Sequence, residues 1–274
     1  MLKDITLGQY FPGNSLLHRL DPRIKVILVL LFIVLIFTAK NIYSFALLTL
    51  AIISFIIISG ISIKVILKSI KPIMLLMIIT AIINLFWTKG EGEPLFSFWI
   101  IQIWEKGIIN ASFMIIRIVS LVTGTSVLLT YTTSPIALTD ALERLLKPLK
   151  LIRVPVHDFA MMMTIALRFI PTLLEETDKI VCAQKARGAA LDHGGLIKKV
   201  KAFVPVLVPL FISAFRRADD LACAMECRCY RGDNGRTRMK ILHLGILDIV
   251  FLIVFALLGC AMFWLNTFPS PFFT

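Results

Sequence analysis

The chain has 274 residues, 58% of them hydrophobic, with a mean hydropathy of +0.88; its apolar residues fall in long runs, which excludes an ordinary soluble core and indicates a polytopic membrane protein. The net charge of +12 does not signal nucleic-acid binding, because the basic residues lie between the apolar runs, where they act as topogenic signals and meet anionic membrane lipid. Five cysteines, odd in number and without a paired framework, suit a reduced cytoplasmic setting better than a disulfide scaffold.

In chain order, residues 1–23 are polar, carry Gly8, Pro12 and Gly13, and lack an apolar signal-peptide core, so the first membrane helix is expected to direct its own insertion. Leu20-Asp21-Pro22-Arg23 supplies an N-cap aspartate and an N1 proline for the first apolar run, residues 24–39. Arg19, Arg23 and Lys25 beside it predict a cytoplasmic N-terminus. Further runs follow at 42–60, 72–88, 107–131 and 244–266, each near the ~20 residues that cross a hydrocarbon core. Five spanning helices are expected. Lys64, Lys68 and Lys71 place the segment between the second and third runs inside, whereas the 89–106 loop mixes Lys89 and Lys106 with Glu91, Glu93 and Glu105 and is expected outside. Arg117 sits near the centre of the fourth run, where a charge costs roughly 2.5–3.5 kcal/mol on insertion scales, so it should face protein or a polar cavity. Asp248, at the start of the last run, is expected to reach the membrane interface, and the tail TFPSPFFT to end outside.

Residues 132–243 hold 18 of the 29 lysines and arginines and are expected on the cytoplasmic side. The chain thus divides into a four-span region 1–131, a coupling-helix region 132–243 and a final span with its tail, 244–274. Thr133-Ser134-Pro135 opens a short amphipathic helix with Leu138, Leu142, Leu145 and Leu149 on one face, ending near Pro148. A long helix from about Val156 to Arg187 is apolar first; its second half then puts Ile170, Leu173, Leu174, Thr177, Val181 and Gln184 on one face. Another, from about Leu196 to Cys229, repeats the plan with Pro205 and Pro209 in its apolar half. The apolar pieces 159–174 and 202–215 are read as dipping into or lying along the inner face, because two spans here would export the basic 175–201 loop.

Both long helices end at an arginine among small residues: Ala186-Arg187-Gly188 and Cys227-Arg228-Cys229. Small residues let a helix end enter a narrow groove, and a guanidinium can hold a carboxylate or carbonyl of a partner. The alternative is two C-terminal cations that complement the helix dipole. AQKARGAAL and AMECRCYRGDNGRTR resemble the paired signatures of the transmembrane (T) component of energy-coupling factor (ECF) transporters, as do GQYFPGNSLLHRLDPRIK, TTSPIALTDALERLLKPLK and ALRFIPTLLEETDKI. The resemblance implies an all-α polytopic membrane protein, with about five transmembrane helices and long cytoplasmic coupling helices, in the bacterial cell membrane. It implies a non-catalytic scaffold that joins two ATP-hydrolysing subunits to a separate S component binding a vitamin or metal ion. Ala186, Arg187, Gly188, Cys227, Arg228 and Cys229 would then be the ATPase-coupling residues. Cys227 and Cys229 depart from the commoner pattern, which has Ala and Gly.

No cofactor is expected on this chain, since no Gly-rich phosphate loop is present and ATP would be bound by partners. Nor is a metal: Cys223, Cys227 and Cys229 have C-x3-C-x-C spacing, which puts the third off the face of the first two, and no second cysteine pair completes a zinc set. Adjacent pairs such as His157-Asp158 and Glu175-Glu176 diverge on a helix and make no acid/base site. The rivals are a conventional ABC importer permease, which has a single coupling segment, and a membrane-embedded metal enzyme.

Overall fold

The computed structural model describes residues 10–88, 96–98, 101–189, 195–232 and 242–268, with no side-chain detail for the strand residues or for 196–200. Several residues read above lie outside it: Gly8, the loop charges Lys89, Glu91 and Glu93, Ala190 and Leu191 at the end of the first signature, residues 233–238 of the second, and the tail from Pro269. The element order is α1 (Leu16–Arg19), α2 (Pro22–Thr38), α3 (Ile42–Ser59), α4 (Ile63–Ile70), α5 (Met74–Trp87), β1 (Phe96–Phe98), β2 (Ile101–Ile103), α6 (Glu105–Thr125), α7 (Pro135–Leu145), α8 (Val156–Ala186), α9 (Leu196–Cys227) and α10 (Ile246–Leu265). A 3-10 turn at Lys71–Ile73 joins α4 to α5, and a π-helical turn, Ser126–Thr130, continues α6. The fold is helical, as read, apart from the small antiparallel β1–β2 hairpin, which the sequence reading did not anticipate.

Among the described residues, four helical stretches are long and apolar enough to cross a membrane: Ile42–Ser59, Ile63–Trp87, Glu105–Thr130 and Ile246–Leu265. The remaining expected run, the first in the chain, is α2, 17 residues and therefore ~26 Å long, at the short end of what crosses a hydrocarbon core. It also contributes to the buried core, with Leu28, Phe32 and Ile36 essentially inaccessible. The third run begins earlier than the hydropathy suggested, because the Lys64, Lys68 and Lys71 segment is itself helical. Helices α8 and α9, of 31 and 32 residues, are not among the candidate spans, in keeping with their charged second halves.

The chain falls into two compact units, Gly8–Ala141 with Ile241–Thr274, and Leu142–Lys240. In the first, Phe32 packs edge-on against Phe55 and Phe255, which stack on each other at 5.3 Å. Gly124 makes room for it: a Cβ there would lie 2.0 Å from the Phe32 ring. Asp21 caps α2 as read, its Oδ1 accepting the Arg23 N–H at 2.9 Å.

Asp248 does not reach the interface. It is buried, accepting the N–H of Asp21 at 2.8 Å and that of Gly245 at 2.7 Å, so one carboxylate caps α10 and ties it to the start of α2. Lys25, also buried, donates to the Thr132 carbonyl at 2.8 Å. At the other end of α2, helix ends meet with every exposed carbonyl at a premium, since lipid offers no hydrogen bonds. Asn266 donates to Thr38 O at 2.8 Å, and Asn41 donates to Phe268 O at 2.6 Å.

Candidate functional site: two arginine-tipped helices

Helices α8 and α9 form an antiparallel pair within the second unit. Gln184 pairs across to Pro205, and Glu176 to Ser213 and Arg217. The buried Val206 and the half-buried Ala202, Pro209, Ser213, Arg217, Leu221 and Met225 of α9 recur at spacings of three and four and form one stripe. On α8, Leu173, Leu174, Thr177, Val181 and Gln184 are half-buried as the periodicity required. Two polar links set the register. Pro209 has no N–H, so the Pro205 carbonyl lacks its helical donor, and Gln184 Nε2 supplies one at 3.4 Å. Glu176 accepts from Ser213 and, at 2.8 Å, from Arg217, whose guanidinium also lies 5.7 Å from the Phe169 ring centre. The Ser213 hydrogen bond, helped by Arg217, holds the Glu176 carboxyl below the usual carboxylate range.

The two helix ends share the same pair of closing hydrogen bonds. In α8, Arg187 is the C-cap, Gly188 follows at φ +86°, the Gly188 N–H donates to Lys185 O at 3.0 Å and the Ala189 N–H to Gln184 O at 3.0 Å. In α9, Arg228 is the C-cap, Cys229 follows at φ +54°, the Cys229 N–H donates to Glu226 O at 2.8 Å and the Tyr230 N–H to Met225 O at 3.0 Å. Both are Schellman motifs, with a left-handed residue closing the last turn. Glycine takes that conformation freely; cysteine, carrying a Cβ, does so at a cost. The departure from Gly at residue 229 therefore leaves the cap geometry intact.

The cap bonds come from backbone N–H groups, and no hydrogen bond or ion pair ties down either guanidinium among the described residues. Arg187 and Arg228 are exposed, as are Ala186, Gly188, Cys227 and Cys229. The antiparallel register places Arg228 across from a point near residue 161 of α8. About 26 helical residues, roughly 40 Å, then separate the tips, which stand at opposite ends of the pair. Sequence periodicity gave no hint of this, because it contains nothing about which way two helices run.

Arg117 belongs elsewhere. Its Nη2 donates to the Ala39 carbonyl at 3.0 Å, the C-cap of α2, and its guanidinium sits 5.4 Å from the Phe45 ring centre. The expected protein partner is thus a helix C-terminus, where a cation complements the helix dipole. All five cysteines are exposed and free, and no cluster of three or more His, Cys, Asp or Glu side chains suited to a metal occurs among the described residues.

Residues 13–241 match the family described as CbiQ, cobalt transport protein. Among curated proteins, the chain is 52% identical over 260 residues to the energy-coupling factor transporter transmembrane protein EcfT of Clostridium kluyveri, covering 95% of this chain and 96% of that one. It is 54% identical over 250 residues to EcfT of Ruminiclostridium cellulolyticum, 91% and 92% of the two chains, and 43% identical over 266 residues to EcfT of Bacillus subtilis, 97% and 100%. Such proteins are transport components of the membrane and not enzymes, which agrees with the apolar helices found here. A family match over most of the chain, with relatives this similar along nearly their whole length, establishes that the chain belongs to the CbiQ/EcfT family of multi-pass transmembrane transport proteins.

Proposed function

We propose that the chain is the T component of an ECF importer in a bacterial cell membrane, with Arg187 and Arg228 docking on two cytoplasmic ATP-binding subunits while a separate S component binds the micronutrient, a vitamin or a metal ion. The observation that carries this reading is the pair of exposed arginines, each capping a helix with the same Schellman closure, at opposite ends of one antiparallel helix pair. A separation of roughly 40 Å suits two separate subunits better than one groove. At each tip an exposed guanidinium sits at a cap closed by backbone N–H groups, so it is available to hold a partner's carboxylate or carbonyl. A conventional permease, with one coupling segment, does not call for the duplication. ATP binding and hydrolysis lie in the partners, and this chain holds no cofactor in the cycle. In this arrangement the N-terminus and residues 132–243 face the cytoplasm, following the lysine and arginine bias.

The test is charge reversal. Arg187→Glu and Arg228→Glu should each lower uptake and release an ATP-binding subunit on purification, with membrane insertion intact, because an inverted charge meets groups arranged for a guanidinium. Wild-type uptake by the double variant would sink the proposal and leave both arginines as dipole-complementing caps.

A further inference from the structure

Helix α4 has three faces of different chemistry. At 100° per residue, Val65, Ile66 and Ser69 fall on one side, Ile63 and Leu67 on a second, and Lys64, Lys68 and, in the following turn, Lys71 on a third, about a quarter-turn from the second. The first side is held by protein: Ile66 is buried, and the Ser69 hydroxyl is hydrogen-bonded to that of Tyr131, itself completely buried and in edge contact with Phe11. This contact fixes the rotation of α4 about its axis. The other two sides are open, Ile63 at 68% and Leu67 at 60% exposure, with all three lysines exposed. None of the three lysines has an acidic partner among the described residues. Helix α4 runs through a single 3-10 turn into the apolar α5, so its exposed apolar and charged edges lie at the first turns of the candidate span Ile63–Trp87.

We propose that α4 is an interfacial helix that holds anionic phospholipid headgroups, with Ile63 and Leu67 set in the acyl boundary and Lys64, Lys68 and Lys71 reaching the headgroup phosphates. A lysine row that merely faced water would not need an exposed isoleucine and leucine one quarter-turn away; an interfacial helix needs both. The same pairing disfavours an acidic protein surface as the occupant, because such a partner would leave the adjoining apolar edge unfilled. This inference rests on the chain being a membrane protein and is independent of what the arginine tips bind.

The experiment places the full chain, with whatever subunits accompany it, in nanodiscs carrying a photoactivatable phosphatidylglycerol or a photoactivatable phosphatidylcholine, and reads labelled peptides by mass spectrometry. Phosphatidylglycerol should label residues 61–73 in clear excess over phosphatidylcholine. That excess should fall about fivefold for each Lys→Gln substitution, corresponding to ~1 kcal/mol per lysine near an anionic surface. It should survive the triple Lys→Arg variant, which keeps the charge and reports that the fold is intact. Single Lys64→Gln and Lys68→Gln variants keep the test decisive if the triple Gln variant does not insert. Equal labelling by the two lipids, an excess unchanged in the Gln variants, or carbodiimide cross-linking of these lysines to carboxylates of another subunit would overturn the proposal.

Discussion

Cys229 occupies a left-handed position that its twin, Gly188, shows is made for glycine, so exchanging the residues tests whether the two tips share one cap. A left-handed residue with a Cβ carries roughly 1–2 kcal/mol of strain, which Cys229→Gly removes. Glycine's extra freedom in the unfolded chain returns roughly 0.5–1 kcal/mol of that. The net gain is about 0.5–1 kcal/mol, a two- to fivefold slower opening of the last turn. The converse, Gly188→Val, puts a β-branched side chain at φ +86° with open space around it, so backbone strain alone acts and the α8 cap should open more often. The assay is hydrogen exchange at the Schellman amides: Cys229 and Tyr230 in one tip, Gly188 and Ala189 in the other. Cys229→Gly should slow exchange of the Tyr230 amide, and Gly188→Val should speed that of Ala189. Unchanged or faster exchange at Tyr230 in Cys229→Gly would refute the claim that this tip is a strained copy of the other.

Three further outcomes follow from the packing. Gly124→Ala should lower the thermal stability of the detergent-solubilised protein by about 1–3 kcal/mol, since its Cβ would fall 2.0 Å from a Phe32 ring with no space to yield; Gly259→Ala, whose Cβ meets Leu35 at 3.4 Å, is the near-neutral control. Arg117→Leu leaves the Ala39 carbonyl without its donor and should cost about 1–3 kcal/mol in the same melt, with Arg117→Lys recovering part. Because the folded Glu176 carboxyl titrates below its unfolded value, its stabilising effect is complete above the ordinary carboxylate range and fades as pH falls through the depressed value; Glu176→Gln should flatten the acid limb of the stability of the α8–α9 pair measured between about pH 6 and pH 3.

What the sequence disclosed was local. Asp21-Pro22 announced the start of α2, and Ala186-Arg187-Gly188 announced the end of α8, because caps depend on residues a few positions apart. The second tip was harder: Cys229 is no usual left-handed residue, and only its resemblance to the first signature marked it. What depended on distant partners stayed hidden. Asp248 read as an interfacial carboxylate, yet it bonds a backbone N–H 227 positions away. Arg117 was seen to need a partner, but a backbone carbonyl leaves no trace in residue identities. Gln184 read as one more residue of a packing face, whereas its role follows from the N–H missing at Pro209 across the pair. Hydropathy likewise found the first run but not that α2 is the short helix against which α6 and α10 pack within its unit.

The central claim, that each arginine tip meets an ATP-binding subunit, is tested most directly by photo-cross-linking from the tips. A photoreactive amino acid in place of Ala186 in one variant and of Cys227 in another, each neighbouring its arginine, reports what lies against that tip in the cell. The account predicts a cross-link to an ATP-binding subunit from each position, with a different copy reached from each end of the α8–α9 pair. Cross-links to lipid or to no protein at either tip, in cells where uptake is intact, would contradict it.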